Sequence, residues 1–133
     1  MTQENKNLII NYSSAEFSWL KSGGNIGQLY KVHNQVELNK LFSQNDIKTK
    51  SFLVIGNLSN TLIKDEGFKG IGIKLLGDFT DVQINSDHML VGAAVLDNYL
   101  SKFCYQKSIT GYEFLFTIPG SIGGNIFMNA GCY

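Results

Sequence analysis

The stretch Ile118-Pro119-Gly120-Ser121-Ile122-Gly123-Gly124-Asn125-Ile126-Phe127-Met128-Asn129-Ala130-Gly131-Cys132-Tyr133 contains the single proline of the chain, with glycines close behind it. It is too apolar for a solvent loop and too glycine-rich for ordinary core. Glycine inside an apolar segment marks backbone that must approach another group closely. Ser121 is placed to cap a helix running through Ile126 to Asn129, which leaves the N–H groups near Gly123 and Gly124 free for an anion. A Pro-Gly turn packed on a neighbouring element fits the same spacing.

Upstream of this stretch, Leu96, Tyr99, Leu100, Phe103 and Cys104 recur at helical spacing and predict an amphipathic helix, with Cys104 as inert core. Before it, Gly70 to Leu75, Val82 to Asn85 and His88 to Val95 read as short strands of an antiparallel meander, with a hairpin at Asn85-Ser86-Asp87. Earlier still, the order changes. Gly27 to His33 reads as a strand, and Asn34 with Glu37 forms a capping box for a helix from Gln35 to Asn45 that carries Leu38, Leu41 and Phe42 on one face. Ser51 to Ile55 is a continuous apolar run, expected to be a buried strand. These three elements make a βαβ unit with parallel strands. The expected fold is therefore α+β and two-lobed: a parallel βαβ lobe over residues 1–67, and an antiparallel lobe with helices over residues 68–133, divided at the turn Asp65-Glu66-Gly67.

The chain has 133 residues, 44% of them hydrophobic and 17% charged, which suits one compact domain or two small lobes and excludes disorder. Lys+Arg and Asp+Glu balance at 11 each, so nothing points to nucleic acid or an anionic membrane as partner. No apolar run approaches the roughly 18 residues of a membrane span, and Met1 to Asn7 has no signal-peptide pattern. Cys104 and Cys132 form no CxxC, which predicts reduced thiols, no zinc site and a cytoplasmic chain whose sequons at Asn11 and Asn57 stay unglycosylated.

A second glycine-polar segment, Gly56-Asn57-Leu58-Ser59-Asn60, follows the strand that ends at Ile55. Backbone N–H groups and short polar side chains at a strand's end suit a pyrophosphate, and they equally suit a plain Asx-turn. The chain has no G-x-G-x-x-G after a strand and no G-K-[ST], so it carries neither a Rossmann fingerprint nor a P-loop. A third glycine-polar segment, Lys21-Ser22-Gly23-Gly24-Asn25, precedes the first predicted strand and reads either as a further candidate site or as nothing more than a flexible lead-in. His33 and His88 have no spaced partners, so no metal site is expected. Glu113, between Tyr112 and Phe114, is either a buried carboxylate beside the Pro-Gly stretch or the outer position of a simple alternation.

Taken in order, Lys-Ser-Gly-Gly, βαβ, Gly-Asn-Leu-Ser-Asn, Lys-Asp-Glu-Gly-Phe-Lys-Gly, a meander, a helix, Ile-Pro-Gly-Ser-Ile-Gly-Gly and Met-Asn-Ala-Gly closely resemble the N-terminal part of the UDP-N-acetylenolpyruvoylglucosamine reductase (MurB) family, flavoproteins of peptidoglycan precursor synthesis. The resemblance covers about residues 18 to 133. It implies a two-lobed FAD domain of the PCMH/vanillyl-alcohol-oxidase type. It also implies that Gly56, Asn57, Leu58, Ser59 and Asn60, with Gly120, Ser121, Ile122, Gly123, Gly124 and Asn125, approach the FAD pyrophosphate and flavin, and that Asn129, Ala130 and Gly131 belong to the same wall. Lys21 and Gly23-Gly24 match the family's opening motif.

This sequence departs from the family at Leu58, where glycine is usual, at Asn125, where a small residue is usual, and at Cys132, where alanine is common. If position 58 needs a positive φ, leucine costs roughly 1–2 kcal/mol there. Its side chain is expected to obstruct the phosphate, so that Leu58→Gly tightens FAD binding. In the family, NADPH reduces FAD and the flavin hydride passes to an enolpyruvyl double bond. A serine then protonates the carbon, while an arginine and a glutamate stabilise the enolic intermediate. Those residues belong to segments beyond Tyr133, so no catalytic side chain is assigned. The chain is expected to be a truncated form without its substrate domain and inactive alone, whether as a fragment, one piece of a split enzyme or a decayed reading frame; the UDP-sugar substrate belongs to the complete enzyme, and a C-terminal polypeptide is a candidate partner. A noncatalytic flavin- or nucleotide-binding module or remnant, and another FAD-dependent oxidoreductase, are the alternatives.

Overall fold

The structure, a computed structural model, describes residues 7–131, without the side chains of Asn45 and Asp46. Cys132, whose alanine-like place and thiol state were expectations above, lies outside the described residues, as does nearly all of the polar lead Met1 to Asn7.

The first lobe is built on a four-stranded sheet of β1 (Leu8–Ser13), β2 (Asn25–Val32), β3 (Phe52–Ile55) and β4 (Phe68–Leu75), in the order β1-β2-β4-β3. β4 runs parallel to both β2 and β3, and β1 closes the other side antiparallel to β2. Two expectations change here. Residues 70–75, placed in the antiparallel second lobe, form the central parallel strand of the first sheet, and 68–75 therefore go with the first lobe. Ser51–Ile55, read as a buried strand, is an edge whose Phe52 and Val54 are about half exposed.

The physical reason lies in the two faces of β4. Period-2 geometry puts Ile71 and Ile73 on one face, where they join Val32, Leu41 and Ile47 from β2, α1 (Gln35–Ser43) and α2 (Asn45–Thr49). The other face carries Gly70, Gly72 and Lys74. A Cβ at Gly72 would stand 2.9 Å from both Ile26 Cγ2 and Ile55 Cδ1, because neighbouring side chains fill the space that β4 leaves open. A strand with glycine on one buried face looks half-exposed in sequence, whereas it is buried on both sides.

Local signals are realised closely. Asn34 caps α1, its Oδ1 accepting from Glu37 N at 2.9 Å. Glu37 Oε2 reaches back to the amide of His33, at 2.8 Å, and not to that of Asn34; this bond holds the Glu37 carboxyl below its usual range. The helix stops at Ser43, shorter than expected, and α2 follows as a separate turn. The Asp65-Glu66-Gly67 turn forms with Gly67 N donating to Lys64 O at 2.8 Å. The Lys-Ser-Gly-Gly segment is no loose lead-in, since a Cβ at Gly24 would lie 2.0 Å from Lys64 O.

The second lobe holds a hairpin, β5 (Val82–Ile84) with β6 (Met89–Val91), then α3 (Asp97–Gln106), a 3-10 turn (Glu113–Thr117) and α4 (Ile122–Met128). The hairpin closes where expected, with Asn85 N donating to His88 O at 2.9 Å. The buried face of α3 is Asp97, Leu100, Ser101 and Cys104, whereas Leu96 and Tyr99, expected on the apolar stripe, are about half exposed. Glu113 takes the outer position and accepts from Gly111 N at 2.8 Å.

Because Gly72 is fixed by contacts on its own face, Gly72→Val should cost about 1–3 kcal/mol by overpacking. Urea denaturation checks this; an unchanged midpoint would show that the β4 face has room.

Candidate functional site

β3 and β4 are parallel, so their carboxyl ends lie at one edge of the sheet, where open α/β sheets bind ligands. β3 leads into Gly56–Asn60, and β4 brings Lys74 to that edge. The second lobe meets them there. A Cβ at Gly56 would stand 2.8 Å from Ser121 Oγ, so glycine allows the two glycine-bearing segments to touch. They border a cleft of about 410 Å³ lined by residues that include Phe52, Val54, Gly56, Lys74, Ala93, Ser121, Gly123, Gly124 and Phe127. A second hollow, about 680 Å³, lies between α3 and the Glu113–Thr117 turn, and no residue of either glycine segment lines it.

The N–H groups expected to be free at the start of α4 are engaged within the chain. The Ile122 amide donates to Val95 O at 2.9 Å and the Gly123 amide to Ala93 O at 2.8 Å. The Gly124 amide points to Ser121 Oγ at 3.4 Å. The capping by Ser121 is realised, but it and the 93–95 segment consume the N–H groups that were expected to be free. Gly123 is required for contact instead, since its Cβ would lie 2.9 Å from both the Cβ and the carbonyl oxygen of Ala93.

The other loop behaves in the opposite way. Among the described residues, the amides of Asn57, Leu58, Ser59 and Asn60 donate to no acceptor. Leu58 sits at φ 46°, in the left-handed region, where a turn can aim successive N–H groups to one side. Its side chain is 5% exposed and packs with Ile26, Leu29, Ile55 and Ile63. The expected obstruction of the phosphate is thus corrected: the strained backbone is held by burial of the leucine away from the loop's polar face.

The remaining site residues separate by place. Asn125 Nδ2 donates to Asp97 Oδ1 at 2.8 Å, and Asp97 is fully buried beside Gly120. Burial pushes the Asp97 carboxyl up, opposed by Asn125 and the nearby Gly120 amide. Ile122 packs on the second-lobe core. Asn129, Ala130 and Gly131 end α4 on the exposed side, and none of them lines the cleft. Lys74, Ala93 and Asp97 escaped the sequence reading. The available signal was a lone lysine ending the Ile-Gly-Ile-Lys alternation, on the glycine face of β4.

Leu58→Gly relieves about 1–2 kcal/mol of backbone strain and loses about 2–5 kcal/mol of core packing. The expected result is a net loss of stability of about 0–4 kcal/mol, centred on about 2, read by urea denaturation. A more stable variant would show that the strain outweighs the burial.

A family model described as an FAD binding domain matches residues 27–133. The UDP-N-acetylenolpyruvoylglucosamine reductases of Rickettsia felis and Rickettsia prowazekii are 39% and 37% identical to this chain, each over 122 residues. The alignments cover 92% of this chain and 41% of each reductase, so the chain spans about two fifths of the length of the curated relatives it matches. The crystal structure of UDP-N-acetylenolpyruvylglucosamine reductase (MurB) from Thermus caldophilus superposes with a TM-score of 0.74 at 29% identity, covering 94% of this chain and 42% of that one. A two-lobed α+β chain with an unspent run of loop amides at its sheet edge, matched from residue 27 onward, belongs to the FAD-binding domain family.

Proposed function

We propose that this chain is the FAD-binding part of a UDP-N-acetylenolpyruvoylglucosamine reductase, a cytoplasmic flavoprotein that uses NADPH to convert UDP-N-acetylglucosamine enolpyruvate to UDP-N-acetylmuramate in peptidoglycan synthesis. The observation that carries the reading is that Gly56, which opens the Gly56–Asn60 loop, meets Ser121, Gly123 and Gly124 along one cleft, in a chain aligned with reductases of that name over 92% of its length.

The residues present fit the cofactor. The amides of Asn57, Leu58, Ser59 and Asn60 receive the diphosphate, because among the described residues they find no acceptor and they follow directly on Gly56 at the cleft. Gly56, Ser121, Gly123 and Gly124 form a wall that backbone can approach closely, with Gly120, Ile122 and Asn125 fixing it from behind. Asn129, Ala130 and Gly131 follow that wall past the end of α4 on the exposed side, outside the cleft lining. FAD, when bound, supplies the hydride chemistry, and this chain binds and orients it. No side chain of this chain is assigned as acid or base.

A C-terminal polypeptide is the proposed partner, bringing the UDP-sugar site and the proton donor. Around the cleft, Phe127 is 88% exposed and Ile126 77%, far above what an apolar helix end keeps when it is covered. Burying that rim also excludes water from the flavin.

Added FAD is expected to bind the purified chain saturably, read by flavin fluorescence. NADPH oxidation dependent on UDP-N-acetylglucosamine enolpyruvate should stay at background with the chain and FAD alone. It should rise when the polypeptide corresponding to the rest of the relatives is supplied. Failure to bind FAD would overturn the reading. Turnover by the chain alone near ordinary enzyme rates, on the order of 1–10³ per second, would reveal a proton donor within residues 1–133.

A further inference from the structure

We infer that Lys74 is the counter-charge for the cofactor's diphosphate, an assignment that rests on reading the cleft as an FAD site. Lys74 stands at the carboxyl end of β4, on the same face as Gly70 and Gly72. That face looks onto the first-lobe cluster of Leu58, Ile55 and Ile63 and the Phe17 packed against it. The ammonium lies 5.6 Å from the centre of the Phe17 ring and donates to the carbonyl oxygen of Gly56. Among the described residues, no carboxylate lies within ion-pair distance of it.

A cation so placed is only partly compensated. A ring face and one carbonyl replace part of the water it loses, and no formal negative charge balances it. Burial accordingly draws the Lys74 pKa below its ordinary value. Hydrophobic residues would fill this cleft more stably, so the charge is explained by an anion that arrives from outside. The carbonyl it touches belongs to Gly56, the residue directly before the amides of Asn57–Asn60 that lack acceptors.

The two features are complementary. Neutral amides orient phosphate oxygens but leave the charge of a diphosphate unbalanced. A compact ammonium on a flexible stem supplies the balance, and it can leave the Gly56 carbonyl for a phosphate oxygen by a small side-chain rotation. The spent amides at the start of α4 leave that role to the opposite wall. The ligand chemistry implied at Lys74 is therefore a diphosphate ester, and not the neutral isoalloxazine ring.

The test compares the wild-type chain with Lys74→Met and Lys74→Arg for FAD and for riboflavin, which lacks phosphate, by fluorescence and calorimetry. Lys74→Met should weaken FAD by about tenfold or more, the scale of one charge-assisted hydrogen bond. Riboflavin affinity should stay within about twofold, and Lys74→Arg should recover most of the FAD affinity. Raising salt should weaken FAD binding less steeply in Lys74→Met than in wild type, which decides the matter even where riboflavin binds too weakly to measure. Urea midpoints report folding, and Lys74→Met is expected to be at least as stable as wild type, because it removes a desolvated charge. Unchanged FAD affinity in Lys74→Met, equal losses for FAD and riboflavin, or an unchanged salt slope would overturn the assignment while leaving the FAD site intact. A wild-type chain that does not bind FAD would overturn the site itself.

Discussion

Parallel pairing of β4 with both β2 and β3 is the constraint on which the rest depends. A central strand must be buried on both faces, and β4 meets this with isoleucines on one side and glycines on the other. The glycine face lets Ile26, Leu29 and Ile55 come within contact of the β4 backbone. The same alternation carries Lys74 to that face at the strand's end. Because β3 runs alongside in the same direction, its exit loop and Lys74 arrive at one edge. Place β4 in the second lobe, and neither the loop nor the lysine would be near the other.

The two glycine-bearing segments, similar in composition, have different physical states. At the start of α4, glycines give close contact, and the freed amides are consumed by the carbonyls of Ala93 and Val95. This joins the second lobe's helix to the 93–95 turn and fixes where Ser121 meets Gly56. In the Asn57–Asn60 loop, the amides remain without acceptors and a buried leucine pins the turn. A left-handed leucine is costly unless its side chain finds core, and here it does. The loop's geometry is therefore held from below, by hydrophobic packing, while its polar face stays open. Asp97 plays the corresponding role under the other wall, gripping Asn125 from a fully buried position.

The exposed apolar residues near α4 stand apart from this economy. Phe52 and Val54 on the sheet edge and Phe127 on α4 line the cleft and stay exposed, and Ile126 beside Phe127 is exposed as well. The curated relatives that this chain matches are more than twice its length.

The sequence by itself determined what rests on neighbouring residues. The Asn34 cap, the Asn85-Ser86-Asp87 hairpin, the turn at Gly67 and the cap at Ser121 all depend on groups a few positions apart, so their chemistry is written along the chain. The two segments that border the site were legible for the same reason, as glycine and short polar residues in apolar surroundings. Tertiary structure alone decided the strand order, the buried face of α3, which amides remain available, where the Leu58 side chain goes and what Lys74 faces. Each of these depends on a partner far along the chain: β4 between β2 and β3, Ala93 against Gly123, Ile26 against Gly72. Periodicity states that a face is apolar. It does not say which distant face fills it, and here that filling separates a spent amide from a free one.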